Sequence, residues 1–83
     1  MTGAEMKAIR SELGLSPIQL GRALGFAGGD ATAAVMISKY ENDARPIPRH
    51  VIRLLLMFQR HGVPQGWTSR LHDLIAIPKA DDK

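Results

Sequence analysis

The chain has no cysteine, only four aromatic residues in 83, and no apolar run longer than five residues, as in Leu54–Phe58. Without cysteine there is no disulfide framework and no thiolate to bind a metal or attack a substrate, which fits a reducing compartment. A run of five falls far short of the roughly 20 apolar residues that cross a bilayer. The N-terminus also lacks the basic-then-apolar pattern of a secretory leader. A cytoplasmic location with no membrane partner is therefore expected.

The constellations that carry catalysis are missing too. His50, His61 and His72 are eleven residues apart, without the three- or four-residue spacing by which two histidines of one helix share a metal. The acidic residues do not cluster. Ala27-Gly28-Gly29-Asp30 lacks the strand, the lysine and the spacing of a phosphate-binding loop. A core this small rarely encloses a reaction pocket. We expect no enzyme, no metal, no cofactor and no small-molecule substrate.

What is present is a normal apolar fraction of 45% and a net charge of +3, enough for one small domain with one core. Residues 1–62 hold eight Lys/Arg against five Asp/Glu, whereas residues 63–83 hold three of each. The basic excess sits with the first segment. It suits a polyanion, although a solvated basic surface is the plainer reading.

Helix signals are strong. Thr2-Gly3-Ala4-Glu5 is a capping box, Met6, Ile9 and Leu13 recur at helical spacing, and Gly14 can end the helix in the left-handed region. This predicts a first helix over 3–13. Ser16-Pro17-Ile18-Gln19 is a second capping box with proline at the first helical position, where its missing N–H costs nothing. Leu20, Ala23 and Leu24 form the inner stripe of a second helix over 17–24. Gly21 within it is best explained by close approach of another helix, since glycine there costs about 1 kcal/mol against alanine.

After the Gly28-Gly29 break, Asp30 or Thr32 is the candidate cap of a third helix over 31–42. Ile37 and Tyr40 can point inward, while Val35, Ser38 and Asn42 fall one turn apart along another face. Pro46 and Pro48 stiffen the connector to a fourth helix over 48–61. Val51, Leu54, Leu55 and Phe58 give that helix one apolar face, and Ile52, Leu56 and Met57 broaden it almost all round. Such a helix is buried by more than its own core, either in a dimer or under the C-terminal segment. Thr68 or Ser69 could cap a weak fifth helix over 68–76, followed by a tail. The expected organisation is thus a helical domain over 1–62 and a C-terminal helix and tail over 63–83.

This order of elements, with Leu13-Gly14-Leu15-Ser16, Leu20, Leu24-Gly25, Ile37-Ser38-Lys39-Tyr40-Glu41-Asn42 and the proline step into the fourth helix, resembles the helix-turn-helix family of the phage lambda Cro and repressor proteins, the XRE family. The resemblance covers about residues 3–62. It departs from the family in three places: Pro17 replaces a glutamine, Asp43 replaces a glycine, and the turn through 27–32 is about six residues longer.

The resemblance implies an all-α, five-helix lambda-repressor-like domain whose third helix enters the major groove of double-stranded DNA. Base-reading positions then fall on Ala34, Val35, Ser38 and Lys39. Lysine can donate to guanine O6 and N7, serine can donate or accept, and alanine or valine can touch a thymine methyl. Core packing is the competing reading for Ala34 and Val35, and a phosphate contact or plain solvation for Lys39. Thr32 and Asp30 reach DNA only if the helix begins early.

Phosphate contacts are expected from Ser16 and Gln19 at the start of the second helix, and from Asn42, Arg45 and Arg49. Helix capping alone would also account for Ser16 and Gln19. Arg10 and Glu41 are implied as a structural ion pair. The implied protein is a transcriptional regulator, a repressor above all, of phage or mobile-element type. It would act in a bacterial or phage-infected cell as a homodimer on an inverted repeat, with Leu56, Trp67, Leu71, Leu74 and Ile75 at the dimer surface. Two alternatives remain open: an antitoxin that autoregulates its own operon, and a helical protein-interaction module that has lost DNA binding.

Overall fold

The structure is a computed structural model that describes residues 1–69. These residues form an all-α body of four helices: α1 (Gly3–Glu12), α2 (Pro17–Leu24), α3 (Asp30–Glu41) and α4 (Arg49–His61). The expected fifth helix lies outside the described residues except for Thr68 and Ser69, which follow α4 in turn and bend conformation.

Local chemistry sets the first two helices. Thr2 Oγ1 accepts from the Glu5 amide at 3.1 Å while the Thr2 amide donates to Glu5 Oε1 at 2.7 Å. The backbone and side-chain hydrogen bonds from Thr2 hold the Glu5 carboxyl below the usual carboxylate range. Ser16 and Gln19 make the same reciprocal pair, at 3.1 and 2.9 Å. Each box satisfies two of the amides that a helix start leaves unpaired. Gly25 then closes α2 at a φ of 77°, in the left-handed region.

The third helix begins differently from expectation. Asp30 is its first residue and not its cap. Gly29 occupies the cap position and supplies no side-chain hydrogen bond. The Asp30 carboxylate is drawn instead to Arg22, with Nη2 2.6 Å from Oδ2 and Nε 3.1 Å from Oδ1. A bidentate arginine outcompetes the local amides for the same oxygens.

The core joins Met6 and Ile9 of α1, Leu20, Ala23 and Leu24 of α2, Ile37 and Tyr40 of α3, and Val51, Leu55 and Phe58 of α4. Three of the six side chains with essentially no exposure belong to α4, so α4 anchors the domain. Leu13, Leu15, Phe26, Leu54 and Val63 pack around this centre. The rings of Phe26 and Tyr40 meet edge-on at 6.1 Å, an arrangement that adds to their burial.

Two contacts bring helices unusually close. A Cβ on Gly21 would lie 2.6 Å from the Cβ of Ala33, which explains a glycine in the middle of α2. Gly21→Ala is therefore expected to lower the melting temperature, because an overpacking cost of about 1–3 kcal/mol outweighs the roughly 1 kcal/mol gained in helix propensity. Thermal unfolding of Gly21→Ala, Ala33→Gly and the double variant measures the coupling. It should reach at least about 0.5 kcal/mol in the direction of rescue, and strict additivity would mean that the helices are free to part.

The second close contact is at Gly3, the first residue of α1, where a Cβ would sit 2.2 Å from the Glu41 carbonyl oxygen and 2.6 Å from that of Tyr40. The N-terminus of α1 thus meets the C-terminus of α3, a favourable meeting of opposite dipole ends.

Asp43 completes this junction. Its φ of 58° is left-handed, a conformation that glycine adopts most readily. The aspartate gains something that glycine could not: Oδ1 accepts from the Gly3 amide at 2.8 Å.

Candidate nucleic-acid interface

α3 is held along one side only. Ala33, Ile37 and Tyr40 are buried, and the stripe opposite them, Ala31, Val35, Ser38 and Asn42, is exposed throughout. Spacings of three and four residues place each stripe on a single helical face. Of the four residues expected to read bases, Val35 and Ser38 stand in the outer stripe, while Ala34 and Lys39 flank it and are half-buried. Val35 is 52% exposed, so core packing does not account for it.

Asn42, the C-terminal cap of α3, donates from Nδ2 to Ser38 Oγ at 3.3 Å. With its oxygen accepting, the Ser38 hydroxyl can direct its proton outward.

Beyond α3 the chain turns strongly basic. Residues 44–61 contain four arginines and no acid. Arg45, Arg49 and Arg53 are all exposed. Arg45 follows two hydrogen bonds that bring the Ala44 and Arg45 amides onto the Lys39 carbonyl, at 2.8 and 3.4 Å, so it leaves the end of α3 along a defined path. Arg49 is the first residue of α4, and Arg53 lies one turn on. By contrast, the open groove of about 450 Å³ between α1 and α4 is edged by Glu5 and Glu12, charges that repel a polyanion.

At the start of α2, Ser16 and Gln19 spend one hydrogen bond each on the other's backbone. The Gln19 side-chain nitrogen has no partner among the described residues, and neither does the Ile18 amide; Pro17 has no N–H to offer. One amide and one carboxamide donor are what this helix start can present to an anion.

Arg10 and Glu41 form a forked pair. Nε lies 2.6 Å from Oε2 and Nη2 3.1 Å from Oε1, while Nη1 donates to the Leu15 carbonyl at 3.1 Å. The side chains are 14% and 9% exposed. One guanidinium thereby ties α1 to the end of α3 and fixes the turn before α2.

A second fork was not legible beforehand. Arg22 holds Asp30 at 2.6 Å and reaches the Thr68 carbonyl from Nη1 at 3.2 Å, fixing the opposite end of α3. Two arginines therefore clamp α3, one at each terminus.

Of the residues expected at a dimer surface, Leu56 is 49% exposed and Met57 beside it 41%. Trp67 is 37% exposed and its ring meets Phe58 of its own chain edge-on at 6.0 Å. Leu71, Leu74 and Ile75 lie outside the described residues. No group of three or more metal-ligating side chains occurs among the described residues, and no described helix is long and apolar enough to cross a membrane.

Comparison with protein-family models, with curated proteins and with solved structures finds no match.

Proposed function

We propose that this chain is a lambda-repressor-like helix-turn-helix protein that binds double-stranded DNA sequence-specifically, inserting α3 into the major groove and acting as a transcriptional regulator, a repressor above all. The observation that carries this reading is the two-sided character of α3. Its inner stripe is sealed into the core and both ends are clamped by arginine forks, while its outer stripe is exposed and made of uncharged side chains able to approach base edges. Ser38 and Lys39 supply hydrogen-bond donors, and Val35 and Ala34 an apolar surface. Arg45 and Arg49, with the Gln19 side chain and Asn42, position the backbone of the duplex. Ser16 serves through its cap.

A single α3 covers about half an operator. Two copies related by a two-fold axis would read half-sites about 34 Å apart. Leu56 and Trp67 are the described residues available for such a dimer.

Selection of duplexes from a random pool tests the reading, with the winner's affinity measured at two salt concentrations. An inverted repeat should emerge, and log K should fall steeply with log salt, by about 0.9 for each phosphate neutralised. Lys39→Ala should relax one base position at a cost of about 1–3 kcal/mol, whereas Arg45→Ala should weaken all sequences alike and flatten the salt slope by about one.

A second reading draws on the same stripe. Ala31, Ala34 and Val35 give the first half of α3 no charge to offer a phosphate, as a protein-interaction surface would. Absence of any enriched duplex, together with salt-insensitive capture of a protein, would establish it.

A further inference from the structure

We propose that the open groove between α1 and α4 is the docking site for a basic amphipathic helix of another protein, one that carries two cations seven residues apart with apolar side chains between them. This goes beyond the DNA-binding reading and does not rest on it.

The groove has an apolar floor and acidic edges. Ile9 is buried beneath it, Ile52 is half-buried, and Ala8 and Leu56 are exposed along it, Leu56 by 49%. Such a surface gains from being covered. Glu5 and Glu12 are its charged lining residues, and no lysine or arginine lines it among the described residues. A polyanion is repelled there, so the duplex proposed for α3 is not the occupant.

Both carboxylates are held in place. Glu5 Oε1 accepts from the Thr2 amide at 2.7 Å, and Glu12 Oε1 accepts from Gln59 Nε2 at 3.0 Å. The second oxygen of each has no partner among the described residues and is free to accept from a cation. The hydrogen bonds from Thr2 also favour the charged form of Glu5.

The spacing selects the partner's conformation. Glu5 and Glu12 are two turns apart on one face of α1, about 10.5 Å at 1.5 Å per residue. An extended strand covers that distance in about three residues, and side chains three apart in a strand point to opposite faces. A helix covers it in seven, and side chains seven apart nearly share a face. A helix lying along α1 therefore meets both carboxylates with cations at its positions i and i+7. Its positions i+3 and i+4 fall over Leu56 and the apolar floor.

α4 of a second copy has this spacing, with Arg53 and Arg60 on either side of Leu56 and Met57. Leu56 already lines its own groove, however. Entry of a second α4 would press the two α4 helices together and set arginine beside arginine, which is unfavourable. With Leu56 covered by another protein, the two-fold contact of the DNA-binding reading falls to Trp67.

The experiment titrates the full chain against a fluorescent alanine-based peptide of about 15 residues, long enough to be partly helical in water. The peptide has lysine at i and i+7 and leucine at i+3 and i+4. A control of the same composition has its second lysine at i+5, on another face. By anisotropy, the first peptide should bind at least about threefold more tightly than the control. Glu5→Gln combined with Glu12→Gln should abolish that preference and weaken binding about three- to tenfold, the worth of two exposed ion pairs. Glutamine keeps an acceptor for Thr2 and for Gln59, so the double variant should melt with wild type. Glu12→Lys should prefer a peptide in which glutamate replaces the facing lysine.

No binding of the lysine peptide overturns the proposal. Equal binding of both peptides, or a preference that survives the double substitution, overturns it as well. Self-association in sedimentation equilibrium that the double substitution abolishes assigns the groove to a second copy, with the same consequence. None of these outcomes bears on DNA binding, which the duplex selection tests separately.

Discussion

Glu41→Ala is expected to lower the melting temperature of the domain more than any other substitution described here. The substitution leaves the Arg10 guanidinium, 14% exposed, with the Leu15 carbonyl as its remaining partner among the described residues. Removing one member of a buried ion pair costs about 3–5 kcal/mol, most of it the penalty of an uncompensated charge. A domain of this length has roughly 4–12 kcal/mol of stability in all. At about 4–8 °C per kcal/mol for a small domain, the melting temperature should fall by about 15–30 °C. Circular dichroism melts of wild type and variant provide the measurement.

Glu41→Gln is the informative companion. It keeps an acceptor near Arg10 but loses the charge and half of the fork, so it should fall between wild type and alanine. A Glu41→Ala protein with an unchanged melting temperature would show that the pair contributes nothing to the fold.

The next largest effect is expected at the other side of the same junction. Gly3→Ala places a methyl group 2.2 Å from a backbone oxygen of Glu41. No side-chain rotamer can relieve this, because the obstacle is main chain. The start of α1 must move away from α3, and the Gly3 amide must then leave the Asp43 carboxylate, 2.8 Å away. Overpacking of about 1–3 kcal/mol and loss of a charge-assisted hydrogen bond of about 1.5–3 kcal/mol act together. They predict a fall of at least about 10 °C in melting temperature. The exposed neighbour offers the control: Ala4→Gly creates no clash and should cost no more than about 1 kcal/mol. A Gly3→Ala protein as stable as wild type would mean that α1 is not seated against α3 as described.

These two sites show what the chain discloses and what it withholds. The capping boxes at Thr2 and Ser16 were legible because donor and acceptor are three residues apart. The bounds of α1, α2 and α4 followed to within a residue. Gly21 was legible as a close approach, though Ala33 as its neighbour was not. Where a residue's partner lies far along the chain, local pattern misleads. Asp30 has the look of a cap, and its carboxylate is taken by Arg22, eight residues earlier. Gly3 reads as filler within a capping box until Glu41, at the far end of α3, is seen against it.

The same division runs through the candidate interface. Ile37 and Tyr40 were assigned to the core by spacing and lie there. Val35 could be read either way, since an aliphatic residue at an ambiguous helical position packs inward as readily as it faces a ligand. Its exposure depends on which side of α3 the neighbouring helices occupy, a property of the assembled body and not of any short stretch. The breadth of apolar residues on α4 divides likewise: Leu55 and Phe58 are buried, while Leu56 and Met57 face outward.

The Arg22–Asp30 fork bears on how such a domain can change. The residues between α2 and α3 leave from one arginine and return to its aspartate, so the two helices are fastened where the connecting segment departs and where it comes back. Adding or removing residues within it alters the loop-closure entropy only slightly, by about 0.6 kcal/mol for a doubling in length. The exposed run Ala27-Gly28-Gly29 is in that sense modular. Its length can drift over generations, or be lengthened by design, while the first residue of α3 stays where the arginine holds it.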